Sequence, residues 1–271
     1  LQNEKTIIPT AQKIALIDRL SSVGFKKIEA TSFVSPKWVP QLADAADVMA
    51  GIHRAPCVTY AALTPNLKGF ERALEAGVNE VAIFGAASET FSQKNINCSI
   101  AESLERFAPI MMAAQAAHIP VRGYVSCVVV CPYEGDIAPE SVRDVAERLR
   151  TMGCYEVSLG DTVGKGTPET ITAMLQAVLQ AMPAAELAGH FHDTNNRALD
   201  NVRASLELGL RTFDSAIGGL GGCPYAPGAK GNVSTTALAN MLAKDGWETG
   251  LDLEKLAEAE AFLTREIALQ V

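Results

Sequence analysis

One feature constrains this chain more than any other: short β-prone apolar runs alternate with amphipathic helical runs from end to end. The strand candidates are residues 26–33, 57–65, 80–87, 121–129, 156–162, 186–194 and 211–219. Helical periodicity is expected over 66–77 and around 99–117, 139–152, 168–181, 196–208, 234–243 and 253–268. Another helical run, residues 11–23, precedes the first strand, with Thr10 as its expected N-cap and Gly24 just past its end. Strands separated by helices at this spacing pair in parallel through crossovers. The first helix has no strand of its own, so the pattern predicts eight βα units: a (βα)8 TIM barrel with its first strand largely missing before Leu1. We expect one barrel domain over residues 1–271 with a C-terminal helical extension. An open doubly wound sheet is disfavoured, because no G-x-G-x-x-G follows an early strand.

Composition narrows the partners. The formal net charge of -8 opposes binding to the phosphates of a nucleic acid. No run of about 18 apolar residues is present, so no membrane span is expected. The polar start, LQNEKTIIPT, does not read as a signal peptide. Six scattered cysteines fit a reducing compartment, and the cytoplasm is the expected location, or the mitochondrial matrix if a leader preceded Leu1. Cys127 and Cys131 form a C-x3-C pair, expected on one face of a strand and read as buried and structural rather than as a zinc site.

The sharpest chemical signal is His190-Phe191-His192-Asp193. Side chains alternate along a strand, so His190 and His192 face the same way. Pointing inward, they would converge at the C-terminal end of a barrel strand, where barrel enzymes hold their active sites. The competing reading is a pair of hydrogen-bonded core histidines. The segment from Gly218 to Asn232 holds six glycines and two prolines in fifteen residues, which suits a loop able to close over a site. It carries Cys223, whose thiol could exchange a proton with a substrate. Asn232 is a candidate third metal ligand through its amide oxygen, or else a helix N-cap. Two imidazoles and an amide oxygen, completed by carboxylate and water, suit Mg²⁺ or Mn²⁺ better than Zn²⁺. Glu29 and Asp161 end two strand candidates, and a carboxylate in such a run needs a partner.

The segments ATSFVSPKWVPQ, LTPNLKGF, IFGAASE, RGYVSC, CPYEG, MGCYEVSLGDT, H-x-HDT and GLGGCPYA lie in order along the chain. Taken together they resemble the hydroxymethylglutaryl-CoA lyase family over essentially the whole length. The resemblance implies a metal-dependent (βα)8 barrel that cleaves 3-hydroxy-3-methylglutaryl-CoA to acetyl-CoA and acetoacetate, in leucine degradation and ketone-body formation. It implies that His190, His192 and Asn232 bind the divalent cation and that Cys223 is the catalytic cysteine. Glu29 and Asp161 match carboxylates of the family's active site, and His190 is expected to help move the hydroxyl proton. Lys5, Lys37 and Lys94 are candidates for the CoA phosphates, and a homodimer is expected. In the family, Arg-Asp-Gly directly precedes Leu-Gln-Asn-Glu, so the catalytic arginine and a ligating aspartate are expected before Leu1. A condensing enzyme of the isopropylmalate or homocitrate synthase type, and a non-catalytic barrel, are the alternatives.

Overall fold

The computed structural model describes residues 1–222 and 231–267. Its elements run α1 (Thr10–Ser21), β1 (Lys27–Ser32), α2 (Ala45–Gly51), β2 (Thr59–Leu63), α3 (Leu67–Glu75), β3 (Glu80–Ala86), α4 (Glu89–Ile96), α5 (Ile100–Ala116) and β4 (Val121–Ser126). They continue with β5 (Val130–Cys131), β6 (Gly135–Asp136), α6 (Pro139–Met152), β7 (Glu156–Asp161), α7 (Pro168–Val178), β8 (Leu187–Phe191), α8 (Ala198–Glu207), β9 (Thr212–Asp214), α9 (Thr235–Lys244) and α10 (Leu253–Arg265). All seven strand candidates are strands of one sheet, in the order β1-β2-β3-β4-β7-β8-β9. The pairs β1–β2, β2–β3, β4–β7, β7–β8 and β8–β9 are parallel, as helical crossovers require.

The described residues form two compact units. The first comprises residues 1–82, 216–220 and 234–267. Its core joins Val23, Ala239 and Leu256 in one cluster and Ile8, Leu16, Leu263 and Ile267 in another. Here α1 begins at Thr10 with Pro9 at the cap position, correcting the expected Thr10 cap. The reason is a competing partner: Thr10 Oγ1 donates to Asp44 Oδ2 at 2.7 Å instead of turning back to its own helix. Lys13 Nζ, buried, reaches the same carboxylate at 2.7 Å and also donates to the Gln41 carbonyl. A helix between β1 and β2 was not expected; α2 is only seven residues long and has no side-chain cap, so its sequence signal is weak.

The second unit comprises residues 83–215, 221–222 and 231–233. Every residue of β7 is buried, the pattern of a strand covered on both faces. Leu149 of α6, Leu159 of β7 and Leu175 of α7 are fully buried between sheet and helices. The helix ends carry ordinary signals. Ser99 and Glu102 form a capping box at α5, Pro139 opens α6, and left-handed Gly153 closes it. Cys127 and Cys131 do not share a strand, contrary to expectation. Cys127 adopts a left-handed φ of 61° that ends β4, and Cys131 lies in the antiparallel hairpin β5–β6. Both are buried with Ala86 and Phe91, and Ser88 Oγ donates to Cys131 Sγ at 3.0 Å. No helix among the described residues is long and apolar enough to cross a membrane.

Candidate active site

The second unit gathers polar side chains on one face of its sheet by register alone. Arg122 stands opposite Glu156, Tyr124 opposite Ser158, Gly160 opposite His190, and His190 opposite Asp214. Because side chains alternate, Arg122 and Tyr124 share a face of β4, and Glu156, Ser158 and Gly160 share a face of β7. Gly160 keeps this layer open at the level of His190. A Cβ there would lie 3.1 Å from the Val125 carbonyl and 3.9 Å from the His190 ring.

These side chains form one connected network. Arg122, 3% exposed, donates from Nε to Glu156 Oε1 at 2.6 Å and lies with Nη1 2.8 Å from Asp214 Oδ1. The same Nη1 donates to the Tyr124 hydroxyl at 2.9 Å. Ser158 Oγ donates to Asp214 Oδ2 at 2.7 Å, and His190 Nδ1 lies 3.1 Å from that same oxygen. Burial would raise the Asp214 carboxyl, but the Arg122 charge and the hydrogen bonds from His190 and Ser158 outweigh it and hold the group well below the usual carboxylate range. Asp214 is therefore an anion and can only accept.

His190 ends near the C-terminal edge of β8, and His192 follows one residue beyond the strand, in an antiparallel bridge opposite Asn232. The two rings lie 5.6 Å apart between centroids. The structure thus brings His190 and His192 side by side, with the Asn232 backbone alongside. Asn232 is not a helix cap; Ser234 caps α9. Gly221 packs directly against the Asn232 amide. A Cβ at 221 would fall 2.7 Å from Nδ2, and the glycine holds φ +91°, a conformation that costs other residues strain.

Asp161 ends β7, fully buried. Its Oδ1 accepts the backbone N–H groups of Gly164 and Lys165 at 3.1 and 3.3 Å, and Oδ2 accepts that of Gly166 at 2.7 Å. Burial raises this carboxyl above its ordinary range despite those donors. The turn it holds packs on the histidine segment, since a Cβ on Gly164 would lie 2.9 Å from the His192 carbonyl. Glu29 is exposed on β1, in the first unit. Lys5, Lys37 and Lys94 are exposed. Cys223 lies outside the described residues.

The pair fits a divalent cation in two respects. His192 is 6% exposed and its Nδ1 is buried with no hydrogen-bond partner among the described residues, an orphan that calls for an occupant. Burial first, and the neighbouring His190 second, push the His192 imidazole down to about 3, which keeps it in the neutral form that ligates metal. Among the described residues no three His, Cys, Asp or Glu side chains group as a metal site. A cation here needs the Asn232 amide and further oxygen donors beside the two imidazoles.

The HMGL-like family model matches residues 1–263. The chain belongs to the HMGL-like family. It is 58% identical to the mitochondrial hydroxymethylglutaryl-CoA lyase of Bos taurus over 98% of this chain and 82% of that protein. Relatives with the lyase name include both mitochondrial and cytoplasmic proteins. The crystal structure of the HMG-CoA lyase from Brucella melitensis superposes with a TM-score of 0.94 at 61% identity, covering 97% of this chain and 93% of that one. An HMG-CoA lyase from Acinetobacter baumannii, solved with coenzyme A and 3-methylmalate, matches at TM-score 0.95 and 39% identity, covering 100% and 88%. The fold of this HMGL-like chain is TIM-barrel-like, as the strand–helix alternation implies.

Sequence reasoning missed Asp214, Arg122, Glu156 and Ser158. Asp214 carried a usable signal: a carboxylate at the end of a strand run needs a partner, and here it is Arg122 of β4, with β7 and β8 lying between the two strands.

Proposed function

We propose that this chain cleaves 3-hydroxy-3-methylglutaryl-CoA to acetyl-CoA and acetoacetate, with Mg²⁺ or Mn²⁺ held by His190, His192 and Asn232. The observation that carries the reading is the paired imidazoles at the end of β8, one with an orphaned buried nitrogen, in a chain 58% identical to a lyase of that name. When bound, the cation polarises the substrate's tertiary hydroxyl and lowers its pKa.

The chain's own residues supply the rest. His190 has one site-facing lone pair, which would serve in turn as ligand to the cation and, when released from it in the substrate complex, as acceptor of the hydroxyl proton. As the adjacent carbon–carbon bond breaks, acetoacetate leaves and its electron pair passes to the acetyl-CoA enolate. Cys223, matched to the family's catalytic cysteine, returns a proton to that enolate carbon. Asp161 contributes by holding the 161–166 turn against His192, and Glu29 is the second carboxylate that the family match assigns to catalysis. Lys5, Lys37 and Lys94 are the proposed contacts of the CoA phosphates, the protein works as a homodimer, and its compartment is the cytoplasm or the mitochondrial matrix.

The test is to supply the full-length gene product with hydroxymethylglutaryl-CoA and Mg²⁺ or Mn²⁺ and to quantify both products. Equal release of acetyl-CoA and acetoacetate is expected. A folded protein that releases neither, or that instead condenses acetyl-CoA with a 2-oxo acid, overturns the proposal.

A further inference from the structure

The two histidines are not equivalent. His190 has an anionic partner on the next strand, directly opposite in register, while His192 Nδ1 has none among the described residues. Asp214 is itself held at three points. Arg122 grips Oδ1 at 2.8 Å, and Ser158 and His190 share Oδ2 at 2.7 and 3.1 Å. Arg122 cannot swing away, because Glu156 and Tyr124 take its Nε and share its Nη1. We propose that Asp214, braced by Arg122 and Ser158, is a positioning residue that fixes the proton of His190 on Nδ1 and so turns the Nε2 lone pair to the site. It acts through His190 and touches neither cation nor substrate.

An ionised carboxylate has no proton to give, so a neutral His190 bonded to it must donate from Nδ1. Only Nε2 is then left with a lone pair. The bond also fixes the ring's rotation, since Ser158 pins the accepting oxygen. Carboxylate partners of this kind orient ligating imidazoles and raise their basicity.

The inference rests on the metal-binding reading for its purpose, yet it can be tested apart from it. In the metal-free, full-length protein labelled with ¹⁵N-histidine, at about pH 8 and above the ordinary imidazole range, His190 is expected as the Nδ1–H tautomer. An Nε2–H tautomer overturns the proposal with no variant needed. Asp214→Asn is then compared for Mn²⁺ binding, with circular dichroism to establish folding. Loss of the carboxylate is expected to weaken Mn²⁺ about 10- to 100-fold and to release the tautomer to a mixture. Unchanged affinity and tautomer in the folded variant contradict the inference, whatever happens to melting temperature. A wild-type protein that binds no Mn²⁺ defeats the metal reading instead, and the tautomer in the metal-free protein still decides the role of Asp214.

Discussion

Replacing Arg122 by leucine tests whether the polar layer is held by its central cation. The guanidinium is 3% exposed and bonds Glu156, whose side chain is 10% exposed, and Asp214, at 21%. Removing one partner of a buried ion pair costs about 3–5 kcal/mol, mostly because the other is left charged and unpaired. Asp214 keeps Ser158 and His190, and neither carboxylate side chain is wholly buried, so the penalty is tempered. The lower part of that range, about 3–4 kcal/mol, is the expected loss. At about 2–4 °C per kcal/mol for chains of this size, the melting temperature falls by about 6–16 °C. Thermal melts followed by circular dichroism read this directly. The double variant Arg122→Leu/Glu156→Leu should recover part of the loss, because apolar replacement of a whole buried pair is often neutral. A single variant melting within about 2 °C of the parent would refute the reasoning, since it would mean that Glu156 and Asp214 need no internal cation.

Gly221→Ala places a Cβ 2.7 Å from Asn232 Nδ2 at a φ of +91°; stability should drop by about 1–3 kcal/mol and Mn²⁺ binding should weaken, as isothermal titration would show. The Asp44 carboxyl is raised by burial but lowered more by the hydrogen bonds from Lys13 and Thr10, so its net shift is downward. Its contribution to stability is therefore complete above the ordinary carboxylate range and is lost as pH falls through the depressed value. Urea midpoints of Asp44→Asn should lie below those of the parent at pH 7, with the gap closing on acidification; a gap independent of pH contradicts this.

Much of the fold was legible because its signals are periodic. The seven sheet strands fall inside the expected runs, and α6 spans its expected residues, where Pro139 opens the helix and Gly153 ends it. Short elements escaped for want of period: α2 has seven residues, and β5 and β6 have two each. The placement of Cys127 and Cys131 failed for a backbone reason, a left-handed turn at Cys127 that apolar composition does not reveal. Of the site, the His190 and His192 pair was visible because its partners sit two residues apart. The Asp214–Arg122 pairing joins residues far apart in the chain, brought together by strand order and register. A single sequence gives the residues but not that pairing. Asp161 shows the reverse case: its place at a strand end was readable, whereas the three backbone donors that occupy it were not.

The decisive measurement is the Mn²⁺ stoichiometry of the full-length protein, read by electron paramagnetic resonance, beside that of the His190→Ala/His192→Ala double variant. The account predicts one tightly held ion per parent chain and none in the folded variant. Full occupancy in the variant would place the cation elsewhere and remove the ground for the proposed chemistry.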